Sequence, residues 1–239
     1  MATDQATVAE EEYLQTLFWL QEAKLPLTGA NLARAMQLSA PTVHEMVGRL
    51  ERDGYITRGA KKAISFTTTG LDHAEGVVRR HRLIERFLTD VLGIPWDEVH
   101  EEAERLEHAM SPVLEERMMA AIGDAKTCPH GHPIAGGSRI EGVPLADVDE
   151  GAAVTILRFE NEAEDLLHYL KENGIEPGMT GILSAHSPDE VTVTADDDGS
   201  THTVTFSVAE TVSVVADPSP PSRIALPEQL VLARERYGR

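Results

Sequence analysis

Apolar residues recur at helical spacing through residues 8–22, VAEEEYLQTLFWLQE, where Tyr13, Leu14, Leu17, Phe18 and Leu20 share one stripe. That pattern predicts an amphipathic helix. Pro26 precedes a second element, in which Thr28 can cap a short helix bearing Leu32, Ala33 and Met36. Leu38-Ser39 then reads as a tight turn, with Ser39 as the next N-cap. The helix it starts, from about Pro41 to Arg52, buries Val43, Met46, Val47 and Leu50. A proline in a first turn costs nothing, because its missing N–H would have no partner there. Asp53-Gly54 stops this helix. Tyr55–Arg58 and Ala63–Thr67 form a two-stranded hairpin around the basic tip Gly59-Ala60-Lys61-Lys62.

Downstream, a long helical pattern covers about 70–92, and Gly93-Ile94-Pro95 breaks it. Helices over about 96–109 and 111–122 follow, then a loop-rich stretch over 123–150 containing CPHGHPIAGG. From about 151 the period changes. VTILRF, MTGILSA, EVTVTA, THTVTFS and ETVSVV alternate as strands, with a short helix around Ala163–Asn173, and together predict a small, mostly antiparallel β-barrel. DPSPPS at 217–222 reads as a linker to a short tail. The expected fold is mainly α with a small β domain. Its divisions are a segment of short helices and a hairpin (1–72), a helical segment (73–147), a barrel (148–216) and a tail (217–239).

Composition narrows the class. Of 239 residues, 41% are hydrophobic and 26% charged, as in a soluble globular protein. No apolar run approaches the roughly 18–20 residues that cross a bilayer, and MATDQATVAEEE lacks the layout of a signal peptide. A cytoplasmic location is expected. Cys128, the single cysteine, excludes an internal disulfide and leaves a thiol open to burial, reactivity or metal ligation. The net charge of −19 disfavours nucleic acid only if charge is averaged. Residues 25–82 hold nine Lys/Arg against five Asp/Glu, and phosphate affinity depends on the contact face. Only five of the 21 basic residues are lysine, a balance that reads as adaptation to high salt.

Helix, tight turn, helix and basic-tipped hairpin make up a winged helix-turn-helix. Its second helix fits the major groove and its wing meets phosphates. Ser39, Ala40, Pro41, Thr42 and His44 are expected at the DNA, with Arg49, Arg58, Lys61 and Lys62 as its cations. Glu45 is out of place there, unless it accepts from a cytosine amine or points away. The plainer alternative is a three-helix structural module that binds no nucleic acid.

The second chemical signal lies in the helices. His81 and Glu85 share a face, and His100, Glu104, Glu107 and His108 fall at i, i+4, i+7 and i+8. Imidazoles and carboxylates on two antiparallel helices can close around a divalent cation. In so acidic a chain, the competing reading is a solvated acidic face. HEEAE lacks the second histidine of HExxH, so a zincin-type protease is not supported.

AEEEYLQTL, SAPTVHEMVGRLERDGYI, VVRRHRLIERFLTDVLGI, VHEEAERLEHAMS and CPHGHPI together resemble the diphtheria toxin repressor family of metal-dependent regulators, in its manganese-responsive branch. LLHYLKENGIEPGMTG resembles the SH3-like domain of the family's longer members. The resemblance implies one metal held by Glu12, His81, Glu104, Glu107 and His108. It implies a second held by Glu85, Cys128, His130 and a barrel acid, Asp165 or else Glu164 or Glu162. His100 matches an ancillary ligand of the iron branch, and His132 stands as a neighbour. Iron-responsive relatives carry cysteine at the position of Glu104 and a thioether at that of Glu12. Oxygen in both places hardens the site toward Mn²⁺, with Fe²⁺ as the runner-up.

The resemblance further implies a homodimer on a palindromic operator, with the metal fixing the angle between its two DNA-binding domains and so repressing metal-uptake genes. Two rivals remain open from sequence. One is a carboxylate–histidine metalloenzyme, against which stands the lack of a nucleophile or a base distinct from the ligands. The other is a metal-independent winged-helix regulator.

Overall fold

The computed structural model describes residues 6–134 and 139–217, so all but the first residue of the proline-rich segment and tail expected at 217–239 lies outside the described residues. Its contacts divide the chain into two compact units, Met1–His81 with Glu107–Met110, and Arg82–Leu106 with Ser111–Arg239.

In the first unit, helix α1 (Val8–Glu22) starts at a capping box. The Thr7 hydroxyl accepts from the Glu10 amide, and the Glu10 carboxylate accepts from the Thr7 amide. Thr28 caps α2 (Gly29–Ala35), and Ser39 caps α3 (Ala40–Arg52), whose first turn contains Pro41. Strands β1 (Ile56–Arg58) and β2 (Ile64–Phe66) pair antiparallel, Ile56 opposite Phe66. A single turn of 3₁₀ helix at Ala60–Lys62 joins them, with Lys62 in the left-handed region at φ 62°. Leu14, Leu17, Leu32, Val43, Val47, Leu50, Ile56 and Ile64 fill the core beneath these elements. Helix α4 (Thr68–Asp90) then begins against the end of α3, where Gly70 touches the Tyr55 carbonyl so closely that a Cβ would lie 1.8 Å from its oxygen.

The second unit contains the rest of α4, α5 (Val99–Glu107, its last residue in the first unit), α6 (Pro112–Ile122) and a sheet domain. The sheet has six antiparallel strands in the order β3-β8-β4-β5-β6-β7. They are β3 (Val143–Pro144), β4 (Ala153–Phe159), β5 (Thr180–His186), β6 (Glu190–Ala195), β7 (Thr201–Thr205) and β8 (Val212–Asp217). Every residue of β4 is buried, as befits a strand covered on both faces. Helix α7 (Glu164–Glu172) supplies Leu167 and Leu170 to the core around Ile156, Phe159, Leu183 and Val193. Two details differ from the sequence pattern. THTVTFS leaves the strand at Thr205 and turns into the helix α8 (Phe206–Ala209), and Val143–Pro144 forms an edge strand inside a presumed loop. Two residues are too few to show alternation.

The loop Cys128–Ile134 lies between α4 and β4. From α4, Arg86 donates to the carbonyls of Thr127 (2.7 Å) and Cys128 (2.8 Å), and Arg82 donates to that of Pro133 (3.0 Å). On the other side, the Phe159 amide donates to the His130 carbonyl at 3.1 Å. Gly131 sits at φ 94°, and a Cβ there would come within 2.0 Å of the Leu157 carbonyl oxygen. Only glycine lets the loop approach the strand so closely. Asp97, buried before α5, is clamped by α7 through His168 Nδ1 at 2.6 Å and Lys171 Nζ. Burial raises the Asp97 carboxyl, but these two donors outweigh it and hold it below the usual range.

Replacing Gly70 by alanine drives a methyl into the Tyr55 carbonyl, and is expected to destabilise the N-terminal unit by about 1–3 kcal/mol. Urea unfolding of Gly70→Ala beside the parent checks it; Gly76→Ala, whose added methyl meets only the Arg80 side chain at 3.7 Å, is the control, expected to stabilise the helix by about 0.5–1 kcal/mol.

Candidate metal centres and DNA-reading face

Helix α3 buries Val43, Val47 and Leu50 and turns the opposite side of its first turn outward. Ala40, Pro41, Thr42 and His44 are all exposed. Ser39 Oγ accepts from the Thr42 amide at 3.3 Å and lies 2.7 Å from its hydroxyl, so two polar groups sit ordered at the helix tip. Lys62 is exposed on the wing, while the side chain of Lys61 lies outside the described residues. The two arginines differ from expectation. Arg49 Nε is 2.9 Å from Glu10 and 3.6 Å from Asp53, and Arg58 is paired with Glu51. Both are engaged by carboxylates rather than held out as free cations.

The first ligand set is assembled in part. His81 Nδ1 lies 2.7 Å from Glu107 Oε2, which also accepts from Gln15 Nε2 at 3.0 Å. His108 Nε2 is 3.3 Å from Glu107 Oε1, and its Nδ1 is 2.7 Å from Glu11 Oε2. Glu12 is exposed and does not join them. The reason is helical phase. Glu10, Tyr13, Leu14 and Leu17 face the core, whereas Glu11, Gln15 and Trp19, at i, i+4 and i+8, form the stripe that meets this set. Trp19 packs edge-on against the His81 ring at 5.5 Å. Position 12 falls about 100° further round. The α1 carboxylate at this set is therefore Glu11, where Glu12 was expected. Arg80 bridges it, donating to Glu11 Oε1 at 3.1 Å and to the Glu107 carbonyl at 3.0 Å. Glu104 belongs to the second unit, where it is half exposed and 3.6 Å from His100 Nε2.

The second set is more compact. Glu85 Oε1 lies 3.1 Å from His100 Nδ1 and 3.2 Å from His130 Nδ1. Glu162 Oε2 lies 3.2 Å and 3.7 Å from the same two nitrogens. Glu85 and His130 are fully buried, as is Cys128, whose sulfur falls within 4.8 Å of ligand atoms of both. His130 Nε2 donates to the Trp96 carbonyl at 2.7 Å, which leaves Nδ1 facing the carboxylates. Metal–ligand bonds of about 2.1 Å separate adjacent donors by roughly 3.0–3.4 Å. Most of the spacings here fall in that range, so the donors fit a divalent cation.

The barrel acid of the set is Glu162. Asp165 is exposed and accepts from the Leu166 amide at 3.0 Å, and Glu164 is exposed near His168. Glu162 precedes α7 on the connection from β4, beside the docked loop, whereas both alternatives are already on the helix.

The electrostatics are those of a buried, mutually compensating cluster. Burial opposes the imidazolium of His100, but Glu162 and Glu85 outweigh it and carry its pKa up to about 10. Burial likewise opposes the charged form of His130, and the same two carboxylates lift it well above the ordinary value. Burial and the charge of Glu85 push Glu162 up, against which His130, His132 and His100 prevail and hold it far below the usual range. Burial, then Glu85, raises the Cys128 thiol to about 11.

Three family profiles match the chain. Residues 6–64 match the N-terminal DNA-binding domain of iron-dependent repressors, 67–136 match the metal-binding and dimerisation domain of the same proteins, and 143–216 match the FeoA domain. The iron-dependent repressor IdeR of Mycobacterium leprae is 34% identical over 183 residues, 70% of this chain and 80% of that protein. The diphtheria toxin repressor of Corynebacterium diphtheriae is 40% identical over 126 residues, 53% of this chain and 56% of that protein. Among solved structures, a manganese-dependent transcriptional repressor in complex with manganese superposes with a TM-score of 0.79 at 31% identity, covering 87% of this chain and all of the other. The IdeR of T. acidophilum gives 0.73 at 27%, covering 89% and 99%.

Two measurements test these geometries. A cation entering the second set must displace the protons that His100 and Cys128 hold at neutral pH, since their pKa values of about 10 and 11 lie above it. Apparent affinity is therefore expected to rise with pH, about tenfold per unit for each proton released. Titrations at pH 6.5 and pH 8 with equal results would contradict it. In the first set, Glu11→Gln is expected to weaken metal binding about tenfold or more, and Glu12→Gln far less. A loss confined to Glu12→Gln would return the role to that residue.

Proposed function

Since the chain belongs to the iron-dependent repressor family, which includes the diphtheria toxin repressors, we propose that it answers to Mn²⁺. It is a metal-dependent transcriptional repressor that binds operator DNA as a dimer and is not an enzyme. The observation that carries the manganese reading is the donor chemistry of the first set. Glu107 and Glu11, His81 and His108 offer oxygen and nitrogen without sulfur, and Glu104, which lies outside this set, is a carboxylate at the position where iron-responsive relatives place a thiolate. Hard donors favour Mn²⁺ over softer ions, and carboxylates also accept Fe²⁺. The likeness to a manganese-dependent repressor at 31% identity supports this reading. The likeness to IdeR, together with His100 in the second set, favours Fe²⁺ as the second reading.

The functional divisions follow as residues 1–72 for DNA binding, 73–147 for dimerisation and metal, 148–216 for the SH3-like domain and 217–239 for the tail. When bound, the cation supplies a positive centre that the clustered carboxylates would otherwise take from arginine and imidazole. The protein's own part is to tie elements together. Glu11 and Gln15 from α1 meet His81 from α4 and Glu107 and His108 at one place, so a ligand held there fixes the first helix of the DNA-binding unit against α4. Ser39, Ala40, Pro41, Thr42 and His44 then face base edges, with Lys62 at the backbone. A differential affinity of a few kcal/mol between the two arrangements suffices to switch occupancy.

The test is a mobility shift on the protein's own promoter with chelator, Mn²⁺, anaerobic Fe²⁺ or Zn²⁺. Mn²⁺ is expected to give the shift at the lowest free ion concentration, and chelator to abolish it. Glu104→Cys is expected to move the response toward Fe²⁺ and softer ions. An unchanged ranking in that variant would refute the hardness argument, and a full shift in chelator would refute metal control.

A further inference from the structure

The geometry points to His132 as a positioning residue that holds Glu162 ready for the cation of the second set, an assignment that rests on the metal reading of that cluster. His132 is buried at 5% exposure, two residues after His130 in the loop that Gly131 lets dock on β4. Its Nε2 lies 2.6 Å from the Phe159 carbonyl oxygen and 3.1 Å from Glu162 Oε1. A carbonyl can only accept, so that nitrogen carries the proton and donates it to Phe159, while the Glu162 oxygen lies against the same nitrogen. The other oxygen of Glu162, Oε2, faces His100 and His130. One carboxylate oxygen thus lies against His132 while its twin faces the cluster.

Glu162 needs such a hold. It lies on the short connection between β4 and α7, with Asn161 and Ala163 exposed on either side, and a glutamate so placed has several rotamers to lose on binding an ion. His132 is itself fixed by more than packing. Its carbonyl accepts from the Cys128 amide at 2.7 Å, and its ring is tied to β4 through Phe159. The division of labour within Cys128-Pro-His-Gly-His132 follows from ring orientation. His130 donates through Nε2 to Trp96 and turns Nδ1 toward the carboxylates, whereas His132 spends on Phe159 the nitrogen that faces Glu162. The first is placed to ligate and the second to orient a ligand.

Because Cys128 is the only cysteine, a thiolate-to-cobalt charge-transfer band reports on the second set alone. The full-length protein would be titrated with Co²⁺ alongside Cys128→Ser, His132→Leu, His132→Asn, His132→Gln, Glu162→Gln and the double variant His132→Leu/Glu162→Gln. The band is expected in the parent and absent from Cys128→Ser. Affinity read from it should fall about tenfold or more in His132→Leu, as for other groups that orient metal ligands. His132→Asn, too short to reach Glu162, should behave alike and substitutes for leucine if that variant does not fold. His132→Gln, which keeps an N–H donor of longer reach, should recover most of the loss. In the Glu162→Gln background, His132→Leu should cost nothing more, because it acts through that carboxylate. Equal affinity in parent, His132→Leu and His132→Asn overturns the assignment, as does a full additional loss in the double variant. No band in the parent removes the metal reading itself, and the assignment with it.

Discussion

A carboxylate sealed from water must find positive charge or give up its own, and Glu85 is sealed completely. Its answer is to gather His100 from α5 and His130 from the docked loop, with Glu162 joining them from the sheet domain. Much of the second unit is arranged to make that gathering possible. Arg82 and Arg86 pin the loop to α4, Gly131 admits it to β4, and Trp96 orients the His130 ring. Imidazolium fills the role of counter-charge here, and a divalent cation is the other species that could. The protons and the ion compete for the same few cubic ångströms, which ties occupancy to the solution around the protein.

The first unit solves a different problem with similar parts. There the carboxylates lie on a boundary between helices, where Gln15 shares with His81 one oxygen of Glu107 and Arg80 takes the Glu11 oxygen that His108 does not. Each carboxylate oxygen of Glu107 and Glu11 has a partner within the described residues, so a ligand has to displace those contacts to enter. That raises the threshold at which it responds, a useful property for a regulator that should ignore trace ion.

Much of the fold is written in local chemistry. Thr28, Ser39 and Pro41 mark helix starts that the structure keeps within a residue, and the period-2 runs after 151 become strands whose ends lie within two residues of those expected. What failed was short or long-range. The two-residue β3 carries no pattern, and Phe206 continues a strand-like run that α8 interrupts. In the sites, helical spacing put His81 beside Glu85 and Glu107 beside His108, while the grouping of Glu85 with Cys128 and His130 came from the family resemblance. The choice of Glu11 over Glu12 depends on the phase with which α1 meets its neighbours. The choice of Glu162 over Asp165 depends on where α7 begins. Neither is set by spacing alone, and His132 shows its partner only once the loop is laid on β4.

The wing and reading helix carry a last implication. Arg49 and Arg58 already hold carboxylates, so if these are the groups that meet phosphate, approach to a duplex exchanges one anionic partner for another instead of filling an empty cation. Such an exchange sets free fewer condensed counterions than bare arginines would, and counterion release is what makes association collapse as electrolyte is added. A chain of net charge −19 that binds through pre-paired guanidinium groups should therefore show a shallow dependence of operator affinity on ionic strength. Its discrimination would then come from the uncharged tip of α3.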